Sequence, residues 1–150
     1  MKYTALILLL SAWGFSCAQN SAIEAPDHAA AEPEIYAAVF SYQFDHNASG
    51  IQKRAEKYCL ELPGETSPDA AFLHRFDGHR PPVLSAGRCE RRSGTSLYFR
   101  ITRLDWIKDN EVWARGGYWE GNLSSSIESY RVLFKDGKWT VEGSRMMSVS

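Results

Sequence analysis

Over its last third the chain alternates large apolar and polar residues with a period of two, interrupted by short turn signals, and this predicts strands rather than helices. Asp136-Gly137 is the strongest of these signals, because both residues tolerate the positive φ required in a two-residue hairpin between twisted strands. Centred there, the register sets Lys135 against Lys138, Phe134 against Trp139, Val132 against Val141 and Tyr130 against Gly143, so large apolar groups meet on one face. Asp109-Asn110 offers a second turn, with Ile107 opposite Val112 and Trp106 opposite Trp113. The small polar run Gly121-Asn122-Leu123-Ser124-Ser125 supplies a looser connection between the two hairpins. The pattern therefore predicts a meander of four strands over residues 95–107, 111–121, 126–135 and 138–149.

Upstream the period changes. Ile35, Tyr36, Val39, Phe40 and Phe44 recur at three- and four-residue spacing behind Pro33, which suits a first helical turn, and predict an amphipathic helix that ends near Asn47 with Gly50 as a stop. Residues 53–62 alternate again, with Tyr58, Leu60 and Leu62 on one side. Cys59 falls on the other side with Lys57 and Glu61, the less buried face of that strand. Ser67-Pro68-Asp69 is a helix start, Phe72, Leu73 and Phe76 give the helix an apolar edge, and Gly78 ends it. The run His79-Arg80-Pro81-Pro82-Val83 is extended and excluded from a central strand, since neither proline donates a backbone hydrogen bond. A basic linker of small residues over 88–94 leads into the meander. The expected fold is α+β: two helices packed on a curved antiparallel sheet that ends in a four-strand meander.

Residues 1–18 combine a cationic start at Lys2, an apolar block over 5–15 and small residues at Ser16 and Ala18, the pattern of an export signal. The block is short for a bilayer, and polar Gln19-Asn20-Ser21 follows at once. Two fates are open: cleavage after Ala18, or lipidation of Cys17 as in bacterial lipoproteins, which this stretch resembles. Residues 19–31, rich in alanine and without an apolar period, read as a tether, which leaves residues 32–150 as a single domain. The expected location is exported, in the periplasm or lipid-anchored in the cell envelope.

Loss of the signal removes Lys2 and leaves 16 basic against 18 acidic residues, so no nucleic-acid partner is expected and a membrane is met only through a lipid on Cys17. Cys59 and Cys89 then remain as an even pair in an oxidising compartment and are expected to be bonded. The alternative is two buried thiols acting as small apolar residues.

The segments Gly116-Gly117-Tyr118-Trp119-Glu120, Tyr130-Arg131-Val132 and Asp136-Gly137-Lys138-Trp139-Thr140-Val141 resemble the last strands of the cystatin-like superfamily, including the nuclear-transport-factor-two-like cone folds. His46-Asn47-Ala48-Ser49 and residues 76–83 resemble a group of small exported bacterial proteins of uncharacterised function. The resemblance implies a helix-and-curved-sheet fold. It carries no chemistry.

Three clusters are candidate sites. Asp45-His46-Asn47 with Ser49 gathers an acid, an imidazole, an amide and a hydroxyl at a helix end, which is either a base poised by a carboxylate or a polar terminus closing loose backbone groups. His74, Asp77, His79 and Arg80 surround the next helix end, where Arg80 on a proline-stiffened arm presents a cation to a carboxylate or phosphate. The plainer reading there is a helix stop whose arginine meets a surface acid. Trp113, Arg115, Gly117 and Trp119 lie on one side of a strand, with Tyr118 and Glu120 on the other, and form either a binding patch or an aromatic core. Gly116-Gly117 weakens a strand unless something approaches closely, which favours the patch.

No motif for a serine elbow, a phosphate loop or a helical metal pair is present, and no metal or cofactor is expected. The expected function is an exported binding or interaction module that holds a protein partner or small ligand on its curved sheet, with Arg115, Tyr118 and Trp119 as contacts and Arg80 as charged anchor. The alternative is a small cone-fold hydrolase or isomerase with His46 or His79 as base and Asp45 or Asp77 orienting it.

Overall fold

A computed structural model describes residues 27–90, 94–121 and 124–149; the export signal, Cys17 and most of the tether lie outside them, as do two residues of the looser turn. Asp27 starts helix α1 (His28–Asp45) by accepting from the Ala30 amide at 3.0 Å, which satisfies one donor that a first turn leaves open. The helix thus begins inside the stretch expected as tether and carries Pro33 within it. Ala31, Ile35, Val39, Phe40, Gln43 and Phe44 form its buried face. Side chains close its other end: Asn47 Nδ2 donates to the Gln43 and Phe44 carbonyls at 2.8 and 3.3 Å, and Gln52 Nε2 donates to the Phe44 carbonyl at 2.8 Å.

The strands are β1 (Lys57–Glu61), β2 (Val83–Ser85), β3 (Ser96–Lys108), β4 (Glu111–Trp119), β5 (Ser126–Lys135) and β6 (Lys138–Val149), in one sheet of order β2-β1-β3-β4-β5-β6. β1 runs parallel to both β2 and β3, and the other neighbours are antiparallel. This overturns the expected architecture of two helices on an antiparallel sheet ending in a four-strand meander: the sheet is six-stranded and mixed, and only α1 is a substantial helix. The second helix, α2 (Ala70–Leu73), is a single turn that tightens into a 3-10 turn over His74–Phe76. Asp69 caps it through the Phe72 amide at 2.8 Å, but Gly78 at φ +82° ends the segment before a second α-turn forms. The proline run stays out of the central strands, as its missing amides require, and leads into the sheet at its edge, where a missing amide is tolerated. The Pro82 carbonyl accepts from the Tyr58 amide at 3.0 Å, and β2 then pairs along β1.

Asp136 and Gly137 both adopt positive φ, and Lys135 faces Lys138, Phe134 faces Trp139 and Val132 faces Val141. Beyond that point an extra residue at Glu142 shifts the ladder, so Tyr130 meets Ser144 rather than Gly143. An extra residue at Ile107 does the same in the other hairpin, where Trp106 faces Val112 and Asp105 faces Trp113. The shift decides which tryptophan is inside. Trp106 packs against the core, stacked on His28 at 3.7 Å and edge-on to Trp139 at 5.5 Å, while Trp113 turns to the opposite face.

Gly116 and Gly117 are required by the protein's own backbone. A Cβ on Gly116 would collide with the Arg100 carbonyl and press on Gln43 Nε2 at 3.1 Å, and one on Gly117 would collide with the Ser126 carbonyl. Gly116→Ala and Gly117→Ala are each expected to lose about 2 kcal/mol or more, as in other overpacked sites. The measurement is urea unfolding, with a lower midpoint at unchanged slope; an unmoved midpoint would contradict the close approach.

Cys59 and Cys89 are joined by a disulfide, with 6.3 Å between their Cα atoms. Cys59 is fully buried, not on a less buried face, because a 3-10 turn over Ala86–Arg88 folds across that side of β1. Ala86, Cys59 and Tyr98 form a small second apolar cluster there, joined by Cys89 and Trp119. Among the described residues no helix is long and apolar enough to cross a membrane.

Candidate binding face

Strand alternation gives the sheet two faces, and α1 packs on one of them. On the open face the register aligns Cys59, Tyr98 and Trp119 in one row, and Glu61, Arg100 and Gly117 in the next. A third row, Arg103, Arg115, Ser129 and Arg145, crosses β3 to β6. Tyr98 and Trp119 meet edge to face with ring centres 5.2 Å apart. With Glu61, Glu65, Phe99 and Arg100 they line a cleft of about 170 Å³.

The charges on this face are unevenly matched. Arg103 Nε lies 3.0 Å from Asp105, and Arg131 Nε lies 2.7 Å from Glu111. The hydrogen bond from Arg131 holds the Glu111 carboxyl below the usual carboxylate range. Arg100, Arg115 and Arg145, by contrast, make no ion pair among the described residues, and Arg115 Nε is buried without a hydrogen-bond partner there. Like charges directly opposite in a ladder are destabilising, so Arg103 against Arg115 is an arrangement that folding alone does not favour.

Of the contacts expected from the sequence, Arg115 and Trp119 lie on this face. Tyr118 does not: it is buried on the α1 side, with its hydroxyl 3.0 Å from Ser124 Oγ. Arg80 is exposed just ahead of the edge strand β2, away from Arg115 and Trp119, and is absent from the lining of the cleft. Sequence reasoning missed Tyr98 and Arg100. Alternation against Leu97, Phe99 and Ile101 places them outward, but only the pairing of β3 with β4 sets them beside Trp119.

In the two His-Asp clusters, the carboxylate that meets an imidazole among the described residues is Asp77, at His74. His46 is exposed, stacked on Tyr42 at 4.1 Å, and donates from Nδ1 to the Tyr42 carbonyl at 3.1 Å. His79 is half-buried against Phe44 and Tyr58 and donates from Nδ1 to the Pro81 carbonyl at 2.7 Å. Asp77 pairs with His74 at 2.9 Å, and both are largely in solvent. Asp45, Asp77 and His79 do share the wall of one open cleft of about 430 Å³, with no hydrogen bond from the ring to either carboxylate. Asn47 and Ser49 have structural work: beyond the carbonyls Asn47 closes, Ser49 Oγ donates to buried Glu120 at 2.5 Å, and the Ile51 amide donates to the same oxygen at 3.1 Å. These bonds tie the exit of α1 to the end of β4.

Deeper in, Gln43 Nε2 donates to the Tyr130 hydroxyl at 3.1 Å, and burial pushes the pKa of that hydroxyl up. Among the described residues no group of three or more His, Cys, Asp or Glu is placed to hold a metal ion. The geometry defines an α+β domain with a charged, aromatic cleft on the open face of a mixed sheet. Compared with protein-family models, curated proteins and solved structures, the chain matches none.

Proposed function

We propose that the protein is an exported binding module of the cell envelope that holds a protein partner or small ligand on the open face of its sheet, at Arg100 and Trp119, without catalysing a reaction. One observation carries this reading: an arginine with no acid partner among the described residues stands beside a Tyr-Trp pair in a cleft, on strands rather than on a loop. Tyr, Trp and Arg contribute most of the energy at recognition surfaces, and strands hold such groups in fixed register. In this reading Tyr98 and Arg100 take the places that the sequence pattern assigns to Tyr118 and Arg80. Export is supported by the disulfide, which persists in oxidising compartments, by the signal pattern of residues 1–18 and by the resemblance to small exported bacterial proteins.

Arg100→Ala tests the site. Because Arg100 makes no ion pair among the described residues, the thermal midpoint of the variant alone is expected to stay within about 2 °C of the parent. A bound partner raises the parent's midpoint by mass action, and this rise is expected to vanish in the variant when both are heated in an extract of the native envelope. A variant stabilised by the extract as fully as the parent would overturn the assignment of the site.

A further inference from the structure

β2 lies at one edge of the sheet, three residues long and with β1 on one side only. In their parallel ladder the Tyr58 amide donates to the Pro82 carbonyl, and alternate residues of a strand turn their backbone groups to alternate sides. Leu84 therefore gives its N–H and C=O to β1, and Val83 turns both of its own outward. Pro81 and Pro82 have no amide to offer, so Val83 carries the first donor along this edge.

A cleft of about 250 Å³ runs beside these groups, and Pro82, Val83 and Leu84 all line it. Neighbouring side chains of a strand point to opposite faces, so a cavity bounded by three in a row lies along the edge and not over one face. Its other walls agree with that placement. Leu73 and Phe76 come from the α2 segment, which packs into the core on the α1 side, and Arg88 comes from the 3-10 turn on the opposite side. Leu73, Val83 and Leu84 are half-buried, which leaves apolar surface open in the cleft. Arg88 is exposed at its rim and makes no ion pair among the described residues. Asp77, the acid in this wall, already meets His74 at 2.9 Å.

We infer that this edge takes an extended peptide segment of a partner protein, which adds to the sheet as a further strand. Its backbone exchanges hydrogen bonds with Val83, its apolar side chains lie on Leu73, Val83 and Leu84, and an acidic side chain meets Arg88. The site shares no lining residue with the cleft at Tyr98 and Trp119 and goes beyond binding on the open face.

The probe is the blocked peptide acetyl-Thr-Val-Glu-Val-Thr-amide, titrated into the mature, oxidised protein labelled for NMR. It is expected to move the Val83 amide signal and to slow hydrogen exchange there, since an edge amide open to solvent becomes bonded. The peptide with lysine in place of glutamate is expected to bind about threefold or more weakly, and Arg88→Gln to remove that preference while the exchange at Val83 is still slowed. Two further peptides carry N-methyl groups on residues 2 and 4 or on residues 3 and 5. One of them is expected to lose binding, because alternate amides of an extended peptide face the same edge.

Full binding by both methylated peptides would show a contact through side chains alone and overturn the added strand. Absence of binding, or binding that leaves Val83 unmoved, would overturn it as well. A Val83 amide already protected in the protein alone would show the edge covered by the chain itself or by a second copy, and would overturn the partner peptide. None of these outcomes bears on the Arg100→Ala experiment, which judges the open face separately.

Discussion

Phe44→Ala is expected to lower stability by about 3–5 kcal/mol, the range for truncating a buried aromatic. Phe44 sits where separate parts of the chain meet. Its ring contacts Tyr58 on β1 at 5.0 Å, Phe76 in the 3-10 turn at 5.4 Å, His79 on the proline arm at 4.8 Å and Phe99 on β3 at 5.2 Å. These partners come from four separate stretches of the chain, so the space left by alanine cannot be closed by moving one of them. Urea unfolding measures the loss, with Phe134→Ala at the half-buried hairpin end as a comparison expected to cost clearly less. A loss below about 1.5 kcal/mol for Phe44→Ala would show that the site collapses and that Phe44 is not the hub described.

Opening the Cys59–Cys89 bond is the second large effect. The bond spans 30 residues, and closing a loop of that order removes about 3 kcal/mol of chain entropy from the unfolded state. For a domain of this size the loss corresponds to roughly 10 °C in thermal midpoint. The double variant Cys59→Ala/Cys89→Ala, or the parent under reductant, is the sample to heat. A further effect comes from where the bond lies: Cys59 and Cys89 pack with Tyr98 and Trp119 beneath the cleft. Loosening them is expected to weaken ligand capture at temperatures where the protein is still folded, a loss that Phe134→Ala at equal destabilisation does not produce. A reduced protein with unchanged midpoint and unchanged capture would contradict both roles.

Much of this structure is written in local patterns, and what is not local was not legible. The Asp136-Gly137 turn and the three pairs nearest it follow from turn chemistry and side-chain alternation. Tyr130 and Trp113 were misaligned because a bulge adds a residue without leaving a mark in the period, as at Glu142 and Ile107. The mixed sheet was missed for another reason. β2 is only Val83–Ser85, too short to show an alternation, and its parallel pairing with β1 is a long-range choice that no nearby residue encodes. α1 began earlier than expected because Asp27 is a better cap than Pro33 is a start.

The candidate site was legible to the same degree. Arg115 and Trp119 were found from one strand's alternation. Tyr98 and Arg100 came into view only when β3 was laid against β4, since a cross-strand neighbour is a property of two segments. Gly116 and Gly117 were expected to leave room for a ligand, and the carbonyls of Arg100 and Ser126 occupy that room instead. The arm at Arg80 looked functional because prolines stiffen it, yet the fold places it at the sheet edge, away from the aromatic cleft.

Whether the open face holds something is tested most directly by native mass spectrometry of the oxidised protein purified from its own envelope, beside Arg100→Ala prepared in the same way. The parent is expected to carry an added mass that is released on mild activation, and the variant to fly bare at the same protein mass less the substitution. An identical added mass on both would place the bound species elsewhere on the molecule, and a bare parent would contradict a binding module occupied in its native compartment.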